Sequence, residues 1–271
     1  VDVLESNWNM WEEFAVNEAV LSLRRDAIDG VQSVHIPVNH PDEIGTIFDG
    51  AIVYAKGARL MNMLRNYLGD DDFRDGLRIY FEKFKYQNTI GADLWQCLSE
   101  SSGKDVANFM NTWLSQPGYP VISVNGKSGR LNIFQQQFFI GKGSDKGRVW
   151  PILLGSTQPS FPQILDQPKI TIPFEGGFIQ FNRGNIAHFI TNYSSELFEK
   201  LLAHIHDLDV ISRLQILQER SLLARGGLVE SVDILRALSH YQDESCLNVW
   251  DMMNISIGDL KIFIDEDSAS E

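Results

Sequence analysis

The feature that most constrains this chain is a double change of period. From Val1 to about Gly118 the apolar residues recur at helical spacing. Trp8, Trp11, Phe14 and Ala15 share one side and lead into Val16, Val20, Leu21 and Leu23, with Arg24-Arg25-Asp26 at the far end. At Gln116-Pro117-Gly118-Tyr119-Pro120 the period drops to two, and at Ser194-Ser195-Glu196 the helical period returns. One uniform layer cannot satisfy both periods, so the chain is expected to be helical, then β, then helical. Its 271 residues are long enough for two or three domains with a sizeable core.

Within the first stretch, Gly30 to Ile44 holds two prolines and is predicted to be a loop or edge strand. Helices are predicted over Ile52–Leu68, closed by Gly69, from Asp70 through Phe84, and from Ala92 and Val106 onward. In the middle, Val121–Asn125 and Arg130–Phe134 answer each other as a hairpin. Short strands are predicted at 137–140, 149–154, 169–172, 177–182 and 187–193, which suggests a small antiparallel sandwich. Val210–Arg225 and Leu228–Tyr241 read as further helices. The acidic Asp265–Glu271 end reads as frayed.

Composition narrows the function classes. Asp plus Glu is 36 against 23 Lys plus Arg, a net charge of −13. That balance argues against nucleic acid or an anionic membrane as main partner. Cys97 and Cys246 stand far apart without metal spacing, so a reducing, cytoplasmic setting is the expectation, with Cys97 a structural thiol inside a helix. No apolar run is long enough to cross a bilayer. The chain opens on Val1 rather than Met, inside a helical pattern, and is expected to be cut from something longer.

Residue chemistry by itself points to no reaction. His204 and His206, two apart on a predicted helix, diverge by about 200° and cannot share a metal. His35 and His40 sit in the proline-bearing loop. There is no G-x-S-x-G elbow, and Gly141-Lys142-Gly143 lacks the helix start that phosphate binding uses. Asp42-Glu43 and Asp70-Asp71-Asp72 read as helix N-terminal charges. The exception is Phe48-Asp49-Gly50-Ala51-Ile52-Val53-Tyr54-Ala55-Lys56-Gly57-Ala58. Gly57 inside a helix costs up to about 1 kcal/mol against Ala and is expected to permit close helix approach. One turn away, Tyr54 is either a packing aromatic or an O–H donor placed to stabilise an oxyanion.

That stretch, with His40-Pro41-Asp42-Glu43-Ile44, Leu64 to Gly69, Asp93-Leu94-Trp95 and Trp113 to Pro120, resembles the zinc aminopeptidases of the aminopeptidase N type. The likeness is to the bacterial enzymes, those of lactic-acid bacteria in particular. It spans almost the whole chain and is strongest over Gly30 to Val121. The Y-x-K-G-A element followed by W-L-x-Q-P-G-Y-P carries its specificity.

The resemblance implies a multi-domain α+β protein. Residues 1–118 would be the helical end of a thermolysin-like catalytic domain, 119–194 a β-sandwich, and 195–271 the start of a C-terminal helical domain. It implies hydrolysis of the N-terminal amino acid from peptide substrates by a zinc enzyme, with Tyr54 as the donor to the tetrahedral oxyanion. The sequence departs from the family in lacking H-E-x-x-H, the downstream Glu ligand and G-x-M-E-N. In the family these precede the stretch where this sequence starts. The expectation is therefore an inactive fragment that binds no zinc by itself, of undetermined oligomeric state. The alternative is a metal-free peptide-binding or scaffold protein that retains the helical and sandwich parts.

Overall fold

In the computed structural model, residues 4–261 are described. The acidic end at Asp265–Glu271 lies outside the described residues. The opening helical pattern folds as two helices, α1 (Met10–Val16) and α2 (Glu18–Asp26), because Asn17 leaves the helical region at φ −104°, ψ −81°. Ala15, Val16, Ala19, Val20 and Leu23 are buried. Trp8, placed on the same stripe by the sequence, is 57% exposed in a 3₁₀ turn before α1.

A loop and the short α3 (Ile44–Ile47) lead to a π-helical segment, Gly50–Lys56, continuous with α4 (Gly57–Leu68). Next come α5 (Asp70–Phe84), α6 (Gly91–Ser102) and α7 (Val106–Ser115). Asp70, Asp71 and Asp72 occupy the first turn of α5, where the helix dipole favours negative charge. Asp105 caps α7 by accepting from the Asn108 amide at 3.0 Å. Cys97 is buried in α6.

The change to period two marks β1 (Pro120–Lys127) and β2 (Arg130–Gln137), an antiparallel hairpin. Its two-residue turn, Ser128-Gly129, has both φ values positive, as strand twist favours. After the two-residue strands β3 (Ile152–Leu153) and β4 (Ile164–Leu165), which pair only with each other, come β5 (Lys169–Pro173) and β6 (Ile190–Tyr193). The main sheet runs β5-β2-β1-β6. The expected all-antiparallel arrangement is corrected here. β6 lies parallel to β1, because the chain crosses from one sheet edge to the other between β5 and β6 and re-enters in the same direction.

Of the predicted strands, 177–182 is irregular, 149–154 keeps only β3 and 137–140 keeps only the last residue of β2, and their remaining polar groups are met by other means. Trp150 donates its amide to Gln135 Oε1 at 3.0 Å and accepts from Gln135 Nε2 at 3.0 Å, so a buried side chain replaces a ladder partner there. Over 177–182, Asn182 N–H bonds Leu154 O and Thr157 N–H bonds Gln180 O. The predicted strand at 137–140 gives its amides to Tyr119 O and Ala27 O, tying the sheet to α2.

The last part holds α8 (Ser195–Leu202), α9 (Val210–Arg225), α10 (Val232–Leu238) and α11 (Leu247–Leu260). The helix predicted over Leu228–Tyr241 is thus shortened to α10, and α11 has no sequence expectation behind it. Helix α9 is buried almost all round, polar positions included. Asp259 of α11 binds Arg24 of α2 at 2.6 Å and Arg225 of α9 at 3.2 Å. The main apolar cluster runs from Ala15 to Met253, so first helices, sheet and last helices share one interior, beside a small separate cluster of Ala224, Ile234 and Leu260. The coarse order of helices, small sheet and helices therefore stands.

Candidate functional site

Asp49 begins the site. Its side chain accepts from the Ala51 amide at 3.1 Å, capping the π-helical segment, and from Arg25 Nε at 2.6 Å. The segment buries Ala51, Ile52, Ala55 and Lys56 and leaves Tyr54 66% exposed. The Tyr54 ring lies 6.3 Å from that of Phe48, which is also exposed. The Gly57 amide reaches back to the carbonyls of Ile52 and Tyr54. The i→i+5 spacing is the wide turn that in other helices often accompanies functional positions. The reading of Gly57 as a close-approach residue is corrected: a Cβ placed there would meet nothing within 4 Å.

Two residues beyond Tyr54, Lys56 is fully buried. Its Nζ lies 2.8 Å from Asp26 Oδ2 and donates to Gly118 O at 3.1 Å. Asp26 Oδ1 accepts the Gly118 amide at 3.0 Å, so Asp26 and Lys56 grip both polar groups of one glycine. Gly118 sits at φ +83°, and an added Cβ would lie 2.3 Å from Gln137 Nε2, so this position admits only glycine.

The network continues into the β region. His188 Nδ1 accepts from Arg59 Nε at 3.0 Å, which places the ring proton on Nε2, 3.0 Å from Asp26 Oδ2. Arg59 also donates to Asn185 Oδ1 at 3.1 Å and Ala187 O at 2.6 Å, while Tyr119 O–H binds Leu23 O at 3.0 Å. Burial pushes the His188 pKa down to about 3 against the upward pull of Asp26, so the ring is neutral. Burial pushes Asp26 up, but the Lys56 ammonium and the His188 hydrogen bond together hold it below the ordinary carboxylate range. Burial lowers Arg59 to about 10, leaving it a cation. This is a buried clasp joining α2, the π-helical segment, α4, the Gly118 link and the chain before β6.

The sequence reading singled out Tyr54 and overlooked the clasp. Asp26 read as a helix-end charge, Lys56 as a letter of a motif, and His188 as one histidine of six. A signal was available for Lys56, which shares the apolar side of its segment with Ala51, Ile52 and Ala55. His204 and His206 are exposed around a 3₁₀ turn, Ile205–Asp207, rather than on the predicted helix, because α8 ends at Leu202. His40 is exposed and accepts the Asp42 amide at 3.2 Å. Among the described residues no three of His, Cys, Asp and Glu gather in a way that would hold a metal. The described residues therefore do not fit a zinc ion.

Comparison with known proteins adds to this geometry. The peptidase family M1 domain matches residues 1–113, and the ERAP1-like C-terminal domain matches residues 178–271. Aminopeptidase N of Lactococcus lactis subsp. lactis (strain IL1403) is 45% identical over all of this chain and 33% of its own length. The chain belongs to the M1 peptidase family. Aminopeptidase N of Lactobacillus delbrueckii subsp. lactis is 41% identical over 97% of the chain and 32% of its own length. An alanine/arginine aminopeptidase of Saccharomyces cerevisiae is 31% identical over 95% of the chain and 31% of its own length. The chain thus spans about a third of the M1 relatives it matches. Tyr54 and the clasp residues Asp26, Lys56 and Arg59 fall inside the M1 match, and His188 inside the ERAP1-like match. Among the described residues no helix is long and apolar enough to cross a membrane.

Proposed function

We propose that this chain is part of a zinc-dependent aminopeptidase that removes the N-terminal amino acid from peptides in the cytoplasm. The observation that carries the reading is the exposed Tyr54 on a capped π-helical turn, in a chain alignable from end to end with aminopeptidase N. In this reading Tyr54 donates its phenolic O–H to the oxyanion that develops as the scissile carbonyl becomes tetrahedral. Asp49 caps the segment and Lys56 pins its last residue, so the donor is held in place before substrate arrives. Residues 1–118 belong to the helical end of the thermolysin-like catalytic domain, 119–194 to the β-sandwich and 195–271 to the C-terminal helical domain. The metal ligands and general base lie outside this chain, which by itself hydrolyses nothing.

The test is Tyr54→Phe in the full-length protein, assayed on an aminoacyl chromogenic substrate. A hydrogen bond made only in the transition state predicts that kcat falls by about a hundredfold or more while KM hardly moves. Near-normal kcat would return Tyr54 to a surface aromatic.

A further inference from the structure

A second buried cation lies far along the chain from Tyr54 and is not neutralised in the same way. Arg220, in α9, is 4% exposed. Its guanidinium carbon stands 3.3 Å from the centroid of the Phe198 ring, and its Nε has no hydrogen-bond partner. Among the described residues Arg220 makes no ion pair within 4.0 Å, whereas buried Arg59 donates to three partners. Burial lowers its pKa only to about 10, so it stays charged at neutral pH. Asp233 and Glu199 on the same groove raise its pKa against burial without pairing with it, and a buried cation held only at that distance is expensive to keep unless something supplies a closer anion.

Arg220 lines a groove of about 360 Å³ between the sheet and α8, α9 and α10. Ser194 and Ser195, at the start of the eight-residue α8, line the same groove, and the Ser194 side chain caps no amide of that helix. A helix start and a guanidinium lining one space have the chemistry of a receptor for a carboxylate. The rest of the rim has the opposite sign. Arg236 binds Asp233 at 2.5 Å and approaches Glu199 at 3.8 Å, while exposed Glu230 makes no ion pair among the described residues. A simple anion would meet Glu230 unfavourably; a carboxylate that carries an ammonium would not.

We propose that this groove binds a small zwitterion of the α-amino acid class, its carboxylate on Arg220 and the start of α8 and its ammonium towards Glu230. The site is independent of Tyr54 and of the reading above. Calorimetric titration of the full-length protein, with chelator present to strip the catalytic metal, tests it using L-leucine, L-leucinamide, acetate and inorganic phosphate. Saturable binding of leucine, without binding of leucinamide, is expected. Arg220→Met should weaken it about tenfold to a hundredfold, as loss of a charged hydrogen bond does. Glu230→Gln, at an exposed position, should weaken leucine about threefold and strengthen acetate. If Arg220→Met does not fold, Arg220→Lys and Glu230→Gln carry the test. Absent leucine binding, leucine binding untouched by the Arg220 variants, or acetate and phosphate binding as tightly as leucine would each overturn the proposal, the last by reducing the groove to an unselective anion site.

Discussion

Two of the places where the molecule buries charge treat it in opposite ways. At the clasp, Asp26, Lys56, His188 and Arg59 meet with every charge opposed or hydrogen-bonded, and both polar groups of Gly118 are drawn in. On α9, Glu219 and Arg220 are neighbours in sequence but do not pair. Glu219 accepts from Gln215 Nε2 at 2.7 Å and the Thr191 amide at 3.2 Å, yet burial pushes its pKa up to about 8, so it is largely protonated at neutral pH. Arg220 stays charged with carboxylates nearby but none paired to it. A satisfied network rigidifies what it joins, and here it joins the turn that carries Tyr54 to the rest of the chain. An unsatisfied charge leaves capacity for a ligand.

The largest effect that would separate the two is on stability. Lys56→Met leaves Asp26 buried without its ammonium and should cost about 3–5 kcal/mol in urea unfolding. A loss near zero would mean that the clasp is no better compensated than α9. Next in size, Gly118→Ala forces a Cβ into Gln137 at a left-handed φ and should cost about 2 kcal/mol, read as a lower unfolding midpoint.

The smallest effect concerns sign. His188 has a folded pKa of about 3 against an ordinary 6.5, so below pH 6.5 the unfolded chain binds the extra proton, and the clasp loses stability as pH falls towards 3. Asp26, lowered in the fold, adds to the loss on acidification. Glu219 runs the other way. Its folded value of about 8 against 4.5 means that the folded state holds the extra proton, so its contribution is full below pH 4.5 and is lost as pH rises through 8. Unfolding free energies measured from pH 6.5 to 8, above the His188 window, should therefore fall less steeply in Glu219→Gln than in the wild type. An unchanged slope would mean that Glu219 is not held protonated.

How much of this could be read beforehand depends on whether a feature is local. Helix α9 was legible from Val210 to Arg225, and the hairpin of β1 and β2 from alternation alone, because period and turn chemistry act within a few residues. Tyr54 stood out because its motif is contiguous. The strand expected at 149–154 shrank to β3 and the one at 177–182 did not form, because their partners are side chains such as Gln135 and irregular chain near Thr157, which no local pattern announces. The parallel entry of β6 beside β1 depends on the segment 174–189, which carries the chain from β5 at one sheet edge to β6 at the other.

The sequence by itself thus determined the order of helical, β and helical texture, the family resemblance and the one residue offered for chemistry. Only the tertiary structure decided that Asp26, Lys56, Arg59 and His188, up to 162 positions apart, form one network, and that Arg220 is left out of any. The physical reason is that propensity and periodicity act between near neighbours, whereas a buried charge is stabilised by whatever the fold brings to it. In Asp26 that was a lysine, a histidine and a backbone amide; in Arg220 it was the face of an aromatic ring beside an open groove.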